Sequence, residues 1–143
     1  MIAAATLEAF FDEALQIYQR AAAPDAVTVD YALAGRAFRV HYADAALAAS
    51  LGPALAHLVA PPQPAPFTVY AWGGERPGGQ LPPPPWEALA YFERGGVRGY
   101  HGADYTLAYD RKPAAFSAVD HARQIGVYWA RDGANLPYYE RAA

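Results

Sequence analysis

The sequence predicts an α+β fold. An antiparallel sheet, made of an early hairpin and a C-terminal meander, carries an N-terminal amphipathic helix and a second, leucine-rich helix. Three observations lead there. Apolar residues recur at helical spacing over 7–22 and 44–59, and they alternate with period two over 27–42. From residue 97 onward, short alternating segments follow one another at close to ten-residue intervals, each closed by a turn signal. The chain has 143 residues, the length of one ordinary domain. Such a domain buries roughly 68–70% of its unfolded surface.

Each element has its own warrant. Over 7–22, Leu7, Phe10, Phe11, Ala14, Leu15 and Tyr18 form one stripe, while Glu8, Asp12, Gln16 and Gln19 face outward. Thr6 is placed to cap this helix, Arg20 suits its negative end, and Pro24 stops it. Val27, Val29, Tyr31 and Leu33 then alternate with Thr28, Asp30 and Ala32, Ala34-Gly35 turns the chain, and Phe38, Val40 and Tyr42 return. Asp30, Arg39 and His41 are left on the other face. Asp44 caps the second helix, whose stripe is Leu47, Leu51, Leu55 and Leu58. Pro53 predicts an interruption there, with Ser50 capping a second segment that holds Pro53 in its first turn.

The segment FTVYAW at 67–72 is apolar on both faces and reads as a central strand. It leads into GGERPGGQLPPPP at 73–85, a loop ending in polyproline II, followed by two helical turns over 86–93. Meander strands are expected at 97–101, 105–110, 114–120 and 124–131. Ile125, Val127 and Trp129 share one face, and Tyr105, Leu107 and Tyr109 another. The segment LPYYER at 136–141 reads as the opening turn of a further helix, capped by Asn135. Gly/Pro content alone does not divide the chain into domains, and no internal repeat is present.

Composition excludes several chemistries. With no cysteine, disulfide scaffolds, thiolate zinc sites and cysteine nucleophiles are absent. Basic and acidic residues number 11 and 14 and are interspersed, which argues against a nucleic-acid partner. The uncharged stretch between Asp44 and Glu75 is broken by Pro53, Pro61, Pro62, Pro64 and Pro66, which argues against a membrane span. Acids at Glu8, Asp12 and Glu13 do not suit a secretory signal, so a cytoplasmic location is expected.

A P-loop needs Gly-Lys-Ser/Thr, and the sole lysine, Lys112, stands between Arg111 and Pro113. The two serines, Ser50 and Ser117, lie in no nucleophile elbow. His41 with Asp44, His101 with Asp104, and Asp120 with His121 could orient a general base or bind a metal. Their positions at strand ends and turns fit ordinary polar roles better. His57 lies beside the leucine stripe at the rim. Trp86, Tyr100, Trp129, Leu136, Tyr138 and Tyr139 are the candidate interface residues, since adjacent tyrosines on one helical turn cannot both be buried against it.

The pieces YALAGRAFRVHYA, ALAHL, FTVYAW, VRGYHG and IGVYWARDGANLPYYERAA, in that order, resemble the N-terminal region of HPr-serine-kinase-like proteins. These are bacterial proteins that often accompany ribosomal peptide pathways, lasso peptides among them. The likeness runs from about Tyr31 to Ala143. It is strongest at Tyr128-Trp129 and at Leu136-Pro137-Tyr138-Tyr139-Glu140-Arg141. It implies a non-catalytic accessory domain for recognition of a peptide substrate or for assembly. ATP and magnesium would belong only to a downstream kinase domain, so the resemblance assigns no catalytic, cofactor or metal residue to this chain. Partners would be that kinase domain, a protein or peptide substrate, or further copies of the chain. It also implies an exposed patch around Leu136, Tyr138 and Tyr139 and a sheet edge open to pairing. Two other readings stand beside it: a small-molecule binder, in which helices 7–22 and 44–59 close a curved sheet around a deep, enclosed cavity lined by Phe38, Tyr42, Trp72 and Trp129, and a hydrolase or isomerase in which two of His41, His101 and His121 converge in a cleft.

Overall fold

The structure, a computed structural model, describes residues 4–64, 66–81, 104–111 and 114–132. Helix α1 spans Ala4–Ala21 and carries Arg20 in its last turn. Because alanine has the highest helix propensity, the helix starts before Thr6, which lies in its first turn and is not the cap. Leu7, Phe10, Phe11, Ala14, Ile17 and Tyr18 form its buried stripe.

Strands β1 (Val27–Leu33) and β2 (Arg36–Tyr42) form the expected antiparallel hairpin. Its turn takes positive φ at both Ala34 (52°) and Gly35 (79°), the pair of signs a tight hairpin turn requires. Asp44 Oδ1 accepts from the Leu47 backbone N–H at 2.8 Å and caps α2 (Ala45–Leu55). A 3-10 turn, Ala56–Leu58, follows. The expected break at Ser50 does not occur. α2 is one helix with Pro53 inside it, so near its end that the missing proline N–H removes a single intrahelical bond.

The six strands lie in the order β1-β2-β3-β6-β5-β4, where β3 is Phe67–Gly73, β4 Tyr105–Arg111, β5 Ala114–Asp120 and β6 Ile125–Ala130. Hairpin and meander are each antiparallel, as expected. Between them β3 runs parallel to both neighbours, β2 and β6. The β2–β3 crossover carries α2, which returns the chain to the end from which β2 started. FTVYAW thus forms the central strand its apolar faces predict.

Each face of the sheet builds one core. On one, α1 packs over Trp72, Phe116, Val127, Trp129 and Leu107. Tyr105 and Leu107 share this face with Ile125, Val127 and Trp129, so the two meander triplets do not lie on opposite sides. On the other, α2 covers Tyr31, Val40, Tyr42 and Ala71. The outer edge of β1 is partly closed, because Tyr31 bridges Val59 and Ala60 N–H donates to the Asp30 carbonyl. Among the described residues no strand pairs with the outer edge of β4. No described helix is long and apolar enough to cross a membrane.

Candidate functional site

Neither His41 nor His121 pairs with the aspartate beside it in sequence. His41 stands directly opposite Thr28 in the hairpin, and its Nδ1 lies 2.9 Å from Thr28 Oγ1. The ring stacks on Tyr70 with centroids 5.0 Å apart. Burial, then the charge of Arg39, lowers its pKa against a smaller opposing pull from Asp30. Asp44, the suggested partner of His41, is occupied as the α2 cap. His121 instead meets Thr106 Oγ1 through Nε2 at 2.7 Å. β2 and β5, which carry or adjoin these two histidines, are three strand spacings apart, about 14 Å. His57 is exposed. Among the described residues no group of three or more histidine and carboxylate side chains could hold a metal ion.

Asp120 is the one buried carboxylate among the described residues, at 3% exposure. Its Oδ1 accepts the backbone N–H groups of Ala122 and Arg123, both at 3.1 Å, and its Oδ2 accepts from Arg123 Nε. Burial by itself would raise the Asp120 pKa. The hydrogen bonds from Arg123 and Ala122, with the guanidinium charge, outweigh it and leave the carboxyl below its ordinary value. Arg123 also reaches Asp12 of α1 at 2.8 Å and lies 5.2 Å over the Phe11 ring. This network fastens α1 to the β5–β6 turn. The spacing between Asp120 and His121 gave no sign of it.

Trp72 and Trp129 stand side by side on β3 and β6. Both indole N–H groups donate to one acceptor, the Gly79 carbonyl, at 3.0 Å each. A carbonyl oxygen has two lone pairs and can serve both. The loop after β3 is further tied by Gln80 Nε2 to the Gly74 carbonyl and by Arg76 Nε to the Ala21 carbonyl at the end of α1. Trp129, a candidate interface residue, is therefore a core residue at 4% exposure. Leu136, Tyr138, Tyr139, Trp86 and Tyr100 lie outside the described residues, as do His101, the proline run 82–85, the helix expected at 86–93 and the strand at 97–101.

The other face of the sheet holds a pocket of about 330 Å³ between α2 and the strands. Phe38, Val40 and Tyr42 of β2 form its floor with Val69 and Ala71 of β3. Leu51 and Leu55 of α2 form one wall, and Tyr128 of β6 the other. Phe38 and Tyr42 thus line a hollow, which is open to solvent and not the deep enclosed cavity that the binder reading expects. Trp72 and Trp129 do not, because the pleat sends them to the α1 face. On the same face, the Tyr31 and Tyr42 hydroxyls meet at 2.8 Å in a buried pair. Burial and the bond to Tyr31 push the Tyr42 pKa well above the tyrosine range. A second hollow of about 520 Å³ opens at the hairpin-turn end, lined by Leu33, Arg36, Phe38, Pro64, Phe67 and Gln124. Phe38, stacked on Tyr31 at 5.1 Å, is common to both. Comparison with family models, curated proteins and solved structures gives no match to this chain.

Proposed function

We propose that this chain recognises and does not transform: it acts as a non-catalytic accessory domain of an HPr-kinase-like serine kinase, holding a peptide substrate or the kinase domain itself. A cytoplasmic location and participation in peptide biosynthesis go with that reading. The observation that carries it is the placement of Tyr128-Trp129, the strongest described piece of the resemblance. It lies on β6, hydrogen-bonded between β3 and β5, with Trp129 locked onto Gly79. Tyr128 and Trp129 are thus built into the centre of the sheet. Among the described residues, four of the ionisable groups weighed for a reaction have partners within the fold, His41 with Thr28, His121 with Thr106, Asp44 as a cap and Asp120 with Arg123. ATP and magnesium would be bound by a separate kinase domain.

The test pairs two measurements. Melting of the chain is followed with and without millimolar MgATP, and serine phosphorylation by an HPr-kinase-like kinase domain is followed with and without the chain. No ATP shift, together with faster phosphorylation when the chain is added, is expected. Stabilisation by MgATP, or turnover by the chain alone, overturns the reading.

A second reading, a small-molecule-binding domain, is favoured by the pocket between α2 and the sheet. Its volume of about 330 Å³ and its aromatic and aliphatic walls suit a compact apolar group. Saturable binding of an apolar dye, lost when Leu51→Trp fills the space, is the expected result; unchanged dye binding in that variant counts against it.

A further inference from the structure

We propose that the two hollows on the α2 face form one elongated site for an anionic amphiphile, its carboxylate at Arg36 and its alkyl body beneath α2. The inference rests on the small-molecule reading of the pocket and names the class of ligand. Arg36, Phe38, Val40 and Tyr42 are alternate residues of β2, so their side chains leave the same face of the sheet. From Arg36 to Tyr42 the strand advances about 20 Å, the span of an extended fatty acyl chain. The inner hollow, about 330 Å³, is lined by apolar and tyrosine side chains alone. The outer one, about 520 Å³, adds the polar groups of Arg36 and Gln124. Both volumes fall within the range of small-molecule sites, roughly 300–1,000 Å³.

The charge is placed at one end. Among the described residues Arg36 is the only charged side chain lining either hollow. No carboxylate among the described residues pairs with it, and the nearest acid of the hairpin, Asp30, lies on the opposite face bound to Arg39 at 2.8 Å. Beside Arg36 the side chain of Leu33 is 57% exposed, an apolar step at the mouth. A guanidinium suits a carboxylate because its N–H fork matches the two oxygens. A cationic head would meet Arg36 and be repelled, and a neutral alcohol would leave it unused. Phe38, which belongs to both hollows, is where the chain of such a ligand would pass from one into the other.

The test uses octanoate, dodecanoate, dodecanol and dodecylamine, each below its micelle concentration, with the full chain and isothermal titration. Dodecanoate is expected to bind saturably and more tightly than octanoate, by about fourfold for each further methylene buried. It should exceed dodecylamine by at least about tenfold, and Arg36→Gln should cut its affinity about five- to tenfold while leaving dodecanol unchanged. Leu51→Trp should abolish dodecanoate binding. Should that variant fail to fold, Arg36→Gln decides alone, since it alters an exposed strand end. Equal binding of dodecanoate and dodecanol overturns the carboxylate assignment while the pocket reading survives. Binding of neither overturns both.

Discussion

Removing the Asp120 carboxylate tests whether α1 is held to the meander as described. In Asp120→Ala, the Ala122 and Arg123 N–H groups lose their acceptor, and Arg123 keeps Asp12, Tyr105 and the Phe11 ring. Two capped N–H groups are together worth about 1–2 kcal/mol by analogy with helix N-caps. Arg123 is 39% exposed, so its ion pair is screened by solvent and adds at most about 1 kcal/mol. The sum is about 2 kcal/mol. For a 143-residue chain, each kcal/mol moves the melting point by about 3 °C, which gives a fall of about 6 °C. Asp120→Asn keeps an oxygen for the two N–H groups and loses only the charge, so it should fall by about half as much. The native carboxyl is held below its ordinary value. Its contribution is therefore present above about pH 4 and lost as pH falls through the folded pKa; neither variant should show that acid-side loss. Thermal melts followed by circular dichroism between pH 2 and 7 measure all three quantities. A fall under about 2 °C for Asp120→Ala, or the same acid-side loss in the variants as in the native chain, refutes the account.

Tyr31→Phe or Tyr42→Phe leaves the other hydroxyl of the buried pair without its partner and should cost about 1–3 kcal/mol by urea unfolding. The double variant should cost clearly less than the sum, and strict additivity would show that the two hydroxyls do not interact. Because the folded pKa of Tyr42 is raised, native stability should fall as pH rises past about 10, and Tyr42→Phe should remove part of that fall. His41 shifts the other way, its folded pKa being lowered. Stability should decline as pH drops below about 6.5, less so in His41→Gln. In Gly79→Ala the new Cβ would stand 2.7 Å from the Gly73 carbonyl oxygen and 3.0 Å from that of Arg76. The loop must shift at a cost of about 1–3 kcal/mol, and tryptophan emission should move to the red as the shared carbonyl leaves both indoles.

Where local chemistry sets the structure, the sequence is readable. Alternation placed the hairpin, Ala34-Gly35 its turn, Asp44 its helix cap and FTVYAW the middle of the sheet. The parallel pairing of β3 with β6 was not readable. A strand buried on both faces has the same residue pattern whichever way its neighbours run, and the Val69–Gly126 pair joins parts of the chain far apart in sequence. Pro53 misled because its cost depends on how much helix follows it, and only Ala54 and Leu55 do. The histidines misled because carboxylates near in sequence drew attention from threonines facing them across strands. Of the pocket lining, Phe38 and Tyr42 were legible as inward aromatics. Arg36 was not, because a charged residue beside a turn is ordinary until the hollow next to it is seen.

Among the described residues the β3–β6 ladder is the one ladder that joins the hairpin half to the meander half. α1 comes from the first half and lies across the second, touching Phe116 through Phe10 and the β5–β6 turn through Asp12. The chain therefore closes on itself like a clasp whose pin is supplied by the opposite side. Were the chain cut after Leu81, the two halves would each keep a usable edge, yet only the first would bring α1, which shields the second from water.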